Sequence, residues 1–298
     1  MRHSPDRMID LHLHSTASDG SDAPAALAAR VADAGLSAAA LTDHDTVAGV
    51  PAFLAAARRH GFTGVAGVEL SVDADVPDGG HMHLLGLLID PDHAGLRETL
   101  ARLRQTRETR AYRILERLAE LGIAIDPAEL DAAAGEGSSI GRPHIARLLI
   151  RHGVVASVQE GFDRFLGEGC PAFVDKEKLD EASAIRLVHA AGGLAVLAHP
   201  QYLGYPDLDG LCDRIRGLMN LGLDGVEVYY PGLPADMRDA LLALAREAGL
   251  VVSGGSDYHG AVKPDTPIGA GEVPDSVLEA MHVSRRNHEG TMTQRNDN

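Results

Sequence analysis

The two histidines of Asp10-Leu11-His12-Leu13-His14 stand two residues apart in an alternating apolar stretch, 8–13. In a strand, residues i and i+2 point the same way, so both imidazoles face one side. Ser15-Thr16-Ala17-Ser18-Asp19-Gly20 cannot continue a strand and reads as a loop, which sets the Asp19 carboxylate just beyond the pair. Imidazoles with a carboxylate at a strand end form a layout for a divalent cation. The layout recurs along the chain. Thr42-Asp43-His44-Asp45, Glu69, His81-Met82-His83, His199-Pro200 and Ser256-Asp257-Tyr258-His259 all lie in or beside short apolar runs. Scattered histidines have no reason to choose strand ends repeatedly, so the recurrence points to a metal-dependent hydrolase.

The elements that would carry these groups alternate. Short strands are expected at 8–13, 37–41, 64–70, 81–89, 194–198, 225–229 and 250–253, and helices at 25–34, 46–59, 179–191, 208–221 and 234–248. Glycines 35, 61 and 249 close three of the helices. Such alternation predicts a parallel sheet with right-handed crossovers, closed or nearly closed as a barrel, with ligands at the C-terminal ends of the strands. The middle differs. Leu96, Leu100, Leu103, Ile114, Leu118 and Leu121 mark one face of a long helix ending at Gly122, and shorter helices are expected at 127–134, 143–151 and 157–165. The barrel is therefore expected in two pieces, 8–96 and 169–281, interrupted by an all-helical insertion or lid over 97–168. Residues 282–298 lack periodicity and read as a flexible tail.

The 298 residues suffice for one large domain or a domain with an insertion, and a 45% hydrophobic content supports a full core. No stretch approaches the roughly 20 apolar residues that span a bilayer. The first residues lack the apolar segment of a signal peptide, so a cytoplasmic enzyme is expected. With only Cys170 and Cys212, disulfide frameworks and thiolate zinc sites are not expected. A net charge of −16 argues against a coat on duplex DNA. The charge is uneven, however: between Arg97 and Arg164, 11 arginines stand against 10 acidic residues. That segment is either an ordinary solvated helical face or the side turned to an anionic substrate.

The motifs Asp10-Leu11-His12-Leu13-His14-Ser15, Thr42-Asp43-His44-Asp45, Gly67-Val68-Glu69-Leu70-Ser71, His83-Leu84-Leu85-Gly86, Ala198-His199-Pro200 and Gly255-Ser256-Asp257-Tyr258-His259 together resemble the PHP (polymerase and histidinol phosphatase) family. The resemblance implies an α/β fold, a distorted (β/α)7 barrel, and hydrolysis of phosphate esters by a cluster of two to three divalent cations. It implies one cation on His12, His14, Glu69 and Asp257. A second would share Glu69 and add His83 and His199, and a third would take Asp19, His44 and His259. His83 is preferred to His81, which shares its strand face, because His83 directly precedes Leu-Leu-Gly. Many relatives carry a histidine where Asp19 stands, which would alter the third site. Manganese is the expected ion, with iron or zinc also compatible with such donors. A hydroxide held between cations would attack phosphorus, and His259 is a candidate acid for the leaving oxygen.

Arg142 and His144 of Gly141-Arg142-Pro143-His144 stand at a helix start, where backbone N–H groups also favour an anion. Local sequence leaves open whether Arg142 merely pairs with surface acid. Lys176, in the Phe-Val-Asp-Lys segment returning to the barrel, is the third candidate contact. These segments resemble the branch of the family that acts on nucleotides. They imply removal of the 3′-phosphate from nucleoside 3′,5′-bisphosphates, adenosine 3′,5′-bisphosphate in particular, with Arg142, His144 and Lys176 on the 5′-phosphate. The expected partner is thus a small nucleotide, or a short RNA if the protein is a 5′→3′ exonuclease. A histidinol-phosphate phosphatase and a non-catalytic metal-binding module are the alternatives.

Overall fold

The computed structural model describes residues 7–77, 79–134, 140–175 and 177–296; Lys176 and the Ser138-Ser139 pair lie outside them. The barrel half before the insertion comprises β1 (Met8–Asp10), α1 (Pro24–Asp33), β2 (Ala38–Leu41), α2 (Val50–His60), β3 (Thr63–Asp73) and β4 (Met82–Leu87). The insertion holds α3 (Ala94–Glu120), α4 (Pro127–Ala134), α5 (Arg142–Arg151) and α6 (Val158–Gly161), which runs into a π-helical turn, Phe162–Leu166. The chain then returns through β5 (Leu179–Asp180), α7 (Glu181–Ala190), β6 (Leu194–Leu197), α8 (Leu208–Asn220), β7 (Gly225–Tyr229), α9 (Ala235–Ala248) and β8 (Val251–Gly254). It finishes with β9 (Val273–Pro274) and α10 (Ser276–Asn296). Pro24 opens α1, where its fixed φ suits a helix and its missing N–H is not needed. Gly61 and Gly249 end α2 and α9 in the left-handed conformation.

The sheet order is β8-β7-β6-β4-β3-β2-β1-β9, with β5 on β3. Past β1 and β8 the two ends of the sheet meet. Leu11 N donates to Gly254 O at 3.1 Å, Asp257 N to His12 O at 2.9 Å and His14 N to Tyr258 O at 3.0 Å. At the other end β9 runs antiparallel to β1. The sheet is thus a nearly closed barrel. Alternate strand residues (Ala38 and Ala40, Leu85 and Leu87, Leu194 and Val196) fill its interior. Val277, Leu278 and Met281 of α10 pack into the same core from the end opposite the histidines.

The structure departs from the expected all-parallel order at β4, which is antiparallel to both β3 and β6. Between Asp73 and Met82 the chain is too short for a crossover helix, so the strand folds back as a hairpin. His83, near the start of β4, consequently reaches the same rim as the C-terminal ends of the parallel strands. The expected aperiodic tail is another departure, because α10 continues to Asn296. Its apolar first turns are anchored under the barrel, and Arg285 and Arg286 favour continuing the helix. The strand expected at 8–13 is hydrogen-bonded as a ladder only to Asp10; His12 and His14 ride on the extension that joins β8.

Helix α3 belongs to two cores. Leu96, Leu100 and Leu103 pack with β3, β4 and α7 of the barrel, whereas Ala111, Ile114, Leu115 and Leu118 pack with α4 and α5.

The β1–β8 closure gives a stability test. A Cβ at Gly255 would lie 2.4 Å from His12 Cβ and 2.5 Å from His12 N, where backbone must give way. Gly255→Ala is expected to cost about 1–3 kcal/mol. Gly217→Ala, in open space on α8, should instead gain about 0.5–1 kcal/mol. Urea melts of both variants check this, and wild-type stability of Gly255→Ala would contradict the closure.

Candidate metal centre

Glu69 is the hub. It projects from β3 with the side chain almost wholly buried, and its two oxygens face different partners. Oε2 lies 3.4 Å from His12 Nε2, 3.1 Å from His14 Nε2 and 3.1 Å from His44 Nδ1. Oε1 lies 2.8 Å from His83 Nδ1 and 3.0 Å from His199 Nε2. Asp257, in the turn after β8, brings Oδ1 to 3.5 Å from His12 Nε2 and 3.3 Å from His14 Nε2. Asp19 forms the third corner, 3.3 Å from His259 Nε2 and 3.8 Å from both His14 Nδ1 and His44 Nε2.

The structure therefore brings all nine expected ligand residues to one rim. Their donor atoms fall into overlapping groups able to hold a cation: His12, His14, Glu69 and Asp257; His44, Glu69 and His83; His14, Asp19, His44 and His259; and His81, His83 and His199. Two details differ from the expected partition. His14 faces Asp19 in addition to Glu69 and Asp257, as His44 faces Glu69 in addition to Asp19, and His81 joins His83 and His199.

Several donors have no hydrogen-bond partner although buried: His12 Nε2, both ring nitrogens of His14, His44 Nδ1, Glu69 Oε2 and His199 Nδ1. Buried polar atoms are normally satisfied, and orphans converging on one point mark a place for cations. Six imidazoles and three carboxylates suit divalent ions of the manganese, iron and zinc type, the carboxylates supplying charge and Glu69 bridging.

The surroundings hold these donors in place. Glu227, fully buried on β7, accepts from His12 Nδ1 at 3.0 Å and, through its other oxygen, from His199 N at 2.7 Å. In the neutral ring that contact keeps the proton on Nδ1 and leaves Nε2 with the lone pair. Asp43 accepts from Ser15 N, Ser15 Oγ and Ser18 Oγ, pinning the loop that carries Asp19. Asp257 keeps Oδ2 for Tyr230 OH at 2.8 Å and Lys263 Nζ at 2.9 Å, leaving Oδ1 for the cluster. His199 and Asp257 adopt positive φ, 26° and 54°. L-residues held there cost of order 1–3 kcal/mol each, and the surrounding structure imposes it.

Burial and neighbours set the charges. Burial, helped by nearby imidazoles His14 and His83, pushes His44 down to about 3 despite Glu69 and Asp19. Burial also opposes charge on His14, but Asp257 and Glu69 outweigh it and lift the ring to about 10. Glu69, Asp19 and Asp257 are held well below the usual carboxylate range against burial by the imidazoles around them. Burial opposes charge on His12 too, but Glu227, Glu69 and Asp257 hold it well above the ordinary imidazole value, so in the metal-free protein His12 and His14 are both cations lodged among carboxylates.

The expected substrate contacts lie in the insertion. Arg142 Nη1 donates to Leu166 O at 3.0 Å, and its guanidinium sits 5.2 Å from the Phe162 ring centroid and 5.8 Å from that of Phe173. His144 is buried, with Nδ1 accepting from Gly141 N at 3.1 Å. Sequence reasoning missed the residue that ties the insertion to the barrel. Arg107 of α3 pairs with Asp45, the neighbour of His44, and Asp45 also accepts from Ser71 N and Oγ. It missed Glu227 as well, although a lone acid between Val226 and Val228 of a buried strand was a visible signal.

A nearly closed α/β barrel whose rim gathers these donors defines a metal-dependent hydrolase. The chain belongs to the PHP domain family, which it matches over residues 10–220. It is 38% identical over 256 residues to a 5′-3′ exoribonuclease of Haemophilus influenzae, covering 85% of this chain and 90% of that protein. It is 34% identical over 262 residues to a 3′,5′-nucleoside bisphosphate phosphatase of Chromobacterium violaceum, covering 84% and 87%. Among solved structures, a metal-dependent phosphoesterase from Bifidobacterium adolescentis superposes with a TM-score of 0.82 at 31% identity, covering 94% of this chain and 97% of that one. No helix among the described residues is long and apolar enough to cross a membrane.

Two outcomes follow for the metal-free protein. Cation uptake must displace the His14 proton, so apparent affinity should rise with pH by up to about tenfold per unit for each proton released, until pH nears 10. The raised His14 value also stabilises the metal-free fold fully below pH 6.5, a contribution lost as pH rises through about 10. Titration calorimetry in buffers of different ionisation enthalpy reads the released protons; affinity flat from pH 6 to 9 contradicts the assignment. Glu227→Gln should weaken cation binding by about 10–100-fold while the circular dichroism spectrum is unchanged.

Proposed function

We propose that this PHP phosphoesterase removes the 3′-phosphate from nucleoside 3′,5′-bisphosphates, adenosine 3′,5′-bisphosphate yielding AMP and phosphate. The observation that carries the reading is a second cationic centre beside the metal-binding rim. Arg107 and Arg110 of α3 and Arg142 of α5 feel one another's charge and that of Asp175, and Arg110 and Arg142 both approach the Phe173 ring, at 6.0 and 5.8 Å. Burial and the charges of Arg142 and Arg107 bring Arg110 down to about 10. Burial and Arg107 likewise lower Arg142. Arg107 pairs with Asp45, and Arg110 and Arg142 donate to the carbonyls of Val174 and Leu166, so an anion would join guanidiniums already fixed in place. The buried His144 ring feels the charge of Asp19 as well as those of Arg147 and Arg107, which supports reading this centre together with the cluster. One phosphate at the cluster and another on the arginines describes a bisphosphate.

In this reading His12, His14, Asp19, His44, Glu69, His83, His199, Asp257 and His259 hold two to three divalent cations, manganese being the expected ion. Bound cations supply Lewis acidity, acidifying water and neutralising charge on the phosphoryl oxygens. Arg107, Arg110, Arg142 and His144 hold the 5′-phosphate and orient the sugar. His259 is better suited to ligation than to the acid role. Its Nδ1–H donates to Asp257 O at 2.9 Å, so in the neutral ring Nε2 presents a lone pair to the cluster. A 5′→3′ exonuclease acting on short RNA is the second reading. It is favoured by the exoribonuclease relative at 38% identity and differs in what remains attached at the 3′ side. Histidinol phosphate, with one phosphate, would bring no second anion to the arginine centre.

Phosphate release from adenosine 3′,5′-bisphosphate, 3′-AMP, 5′-AMP and histidinol phosphate, together with shortening of a 5′-phosphorylated RNA ladder, tests the proposal with added Mn²⁺. The bisphosphate should be preferred to 3′-AMP by at least about tenfold in kcat/KM, the worth of one charge-assisted contact. Arg142→Ala should remove that preference through KM. Indifference to the 5′-phosphate, or activity on histidinol phosphate alone, contradicts it; shortening of the RNA ladder as the main activity favours the exonuclease.

A further inference from the structure

Tyr202 is the one large aromatic side chain left exposed among the described residues, at 42%. The chain has no tryptophan, five phenylalanines and six tyrosines, so an open ring is a rare expenditure here. Its location is specific. It lies in the short 3₁₀ turn Pro200–Leu203 that follows the cluster residue His199, and its centroid is 5.1 Å from that of His199. His81 stacks on it nearly parallel, at 5.4 Å and 16°. The His81 ring is in turn 5.3 Å from His83 and 5.8 Å from His199.

The shelf is held by backbone rather than by side chains alone. His81 N donates to Tyr202 O at 2.9 Å and Tyr202 N to His199 O at 3.0 Å. Gly80 permits the approach, since a Cβ there would lie 2.3 Å from Leu203 O. Tyr230 meets Tyr202 edge-on at 6.2 Å and 90°, fixing its tilt. The pair flanks the His83–His199 side of the rim, whereas Arg107 approaches beside His44 through Asp45. The aromatic pair and the Arg107–Asp45 pair therefore border different residues of the cluster.

We infer that His81 and Tyr202 form a stacking shelf for the nucleobase of the substrate. This inference rests on the nucleotide reading above and assigns the base to a position that the metal-binding residues leave open. Aromatic faces accept any base, so the shelf selects nucleotides over sugar or alcohol phosphates without selecting among bases. The bland account is that His81 extends the cation cluster with His83 and His199, and that Tyr202 only braces it.

Two substrates separate these accounts: adenosine 3′,5′-bisphosphate and its base-less analogue, 1,2-dideoxyribose 3,5-bisphosphate. Wild type should prefer the nucleotide through KM. Tyr202→Ala should raise the nucleotide KM about tenfold, the scale of one base–aromatic stack. It should leave kcat within about twofold, the analogue unaffected and the cation content by elemental analysis unchanged, and Tyr202→Phe should restore the nucleotide KM. Quenching of 2-aminopurine riboside 5′-monophosphate fluorescence on binding gives a readout independent of turnover, expected in wild type and Tyr202→Phe and lost in Tyr202→Ala. Equal use of both compounds by wild type, absence of quenching, or loss of cations in Tyr202→Ala overturns the shelf. Quenching without hydrolysis of either compound supports the shelf and overturns the phosphatase reading instead.

Discussion

A carboxylate buried among imidazoles governs this molecule. Water cannot solvate Glu69, and the price of ionising it there is met only because imidazoles from separate parts of the chain face both of its oxygens. That arrangement demands that β1, β3, β4 and the turns after β2 and β6 all present side chains to one point, which only a sheet curled nearly shut can do. The strained backbone at His199 and Asp257 is part of the same demand. So is the plug of α10 beneath the barrel, which keeps the opposite end dry and leaves the rim as the open face.

Much of this was legible in the sequence because ligand chemistry is carried by residue type and by strand spacing. His12 and His14 share a face by the period of a strand, and Asp43-His44 and Asp257-His259 sit where apolar runs end. The direction of β4 was less legible. His83 reads as one more strand-end histidine, yet it lies near the beginning of its strand and arrives at the rim only because the strand is reversed. The clue was the length of the β3–β4 connection, too short to carry a helix. Glu227 and Arg107 were hidden for a different reason. Their roles depend on partners 215 and 62 residues away, and nothing local distinguishes them from a stray core acid or a solvated arginine. The last helix was missed because apolar spacing, the signal for amphipathic helices, ends at Met281 while the backbone continues helical to Asn296.

Under the proposed reading, function is divided around the rim in a way that composition could only hint at. The near-neutral insertion in an acidic chain is where Arg107, Arg110 and Arg142 assemble, and the anion-facing account of that charge imbalance gains support from their crowding. The surface-pairing account still holds for others, since Arg104 bonds Glu108 and Arg164 bonds Glu160 on exposed helical faces. Side chains two or three positions apart on one helix thus do unrelated work, which is the ordinary consequence of a 3.6-residue turn.

Helix α3 is continuous through 27 residues while its two halves are sunk in different cores. At 1.5 Å per residue it is a stiff rod about 40 Å long. The helices packed on its far half cannot swing as a loosely tethered flap; displacing them means bending the rod or pulling leucines out of the barrel wall. The spacing between the helical core and the barrel wall is consequently set by the length and stiffness of one helix.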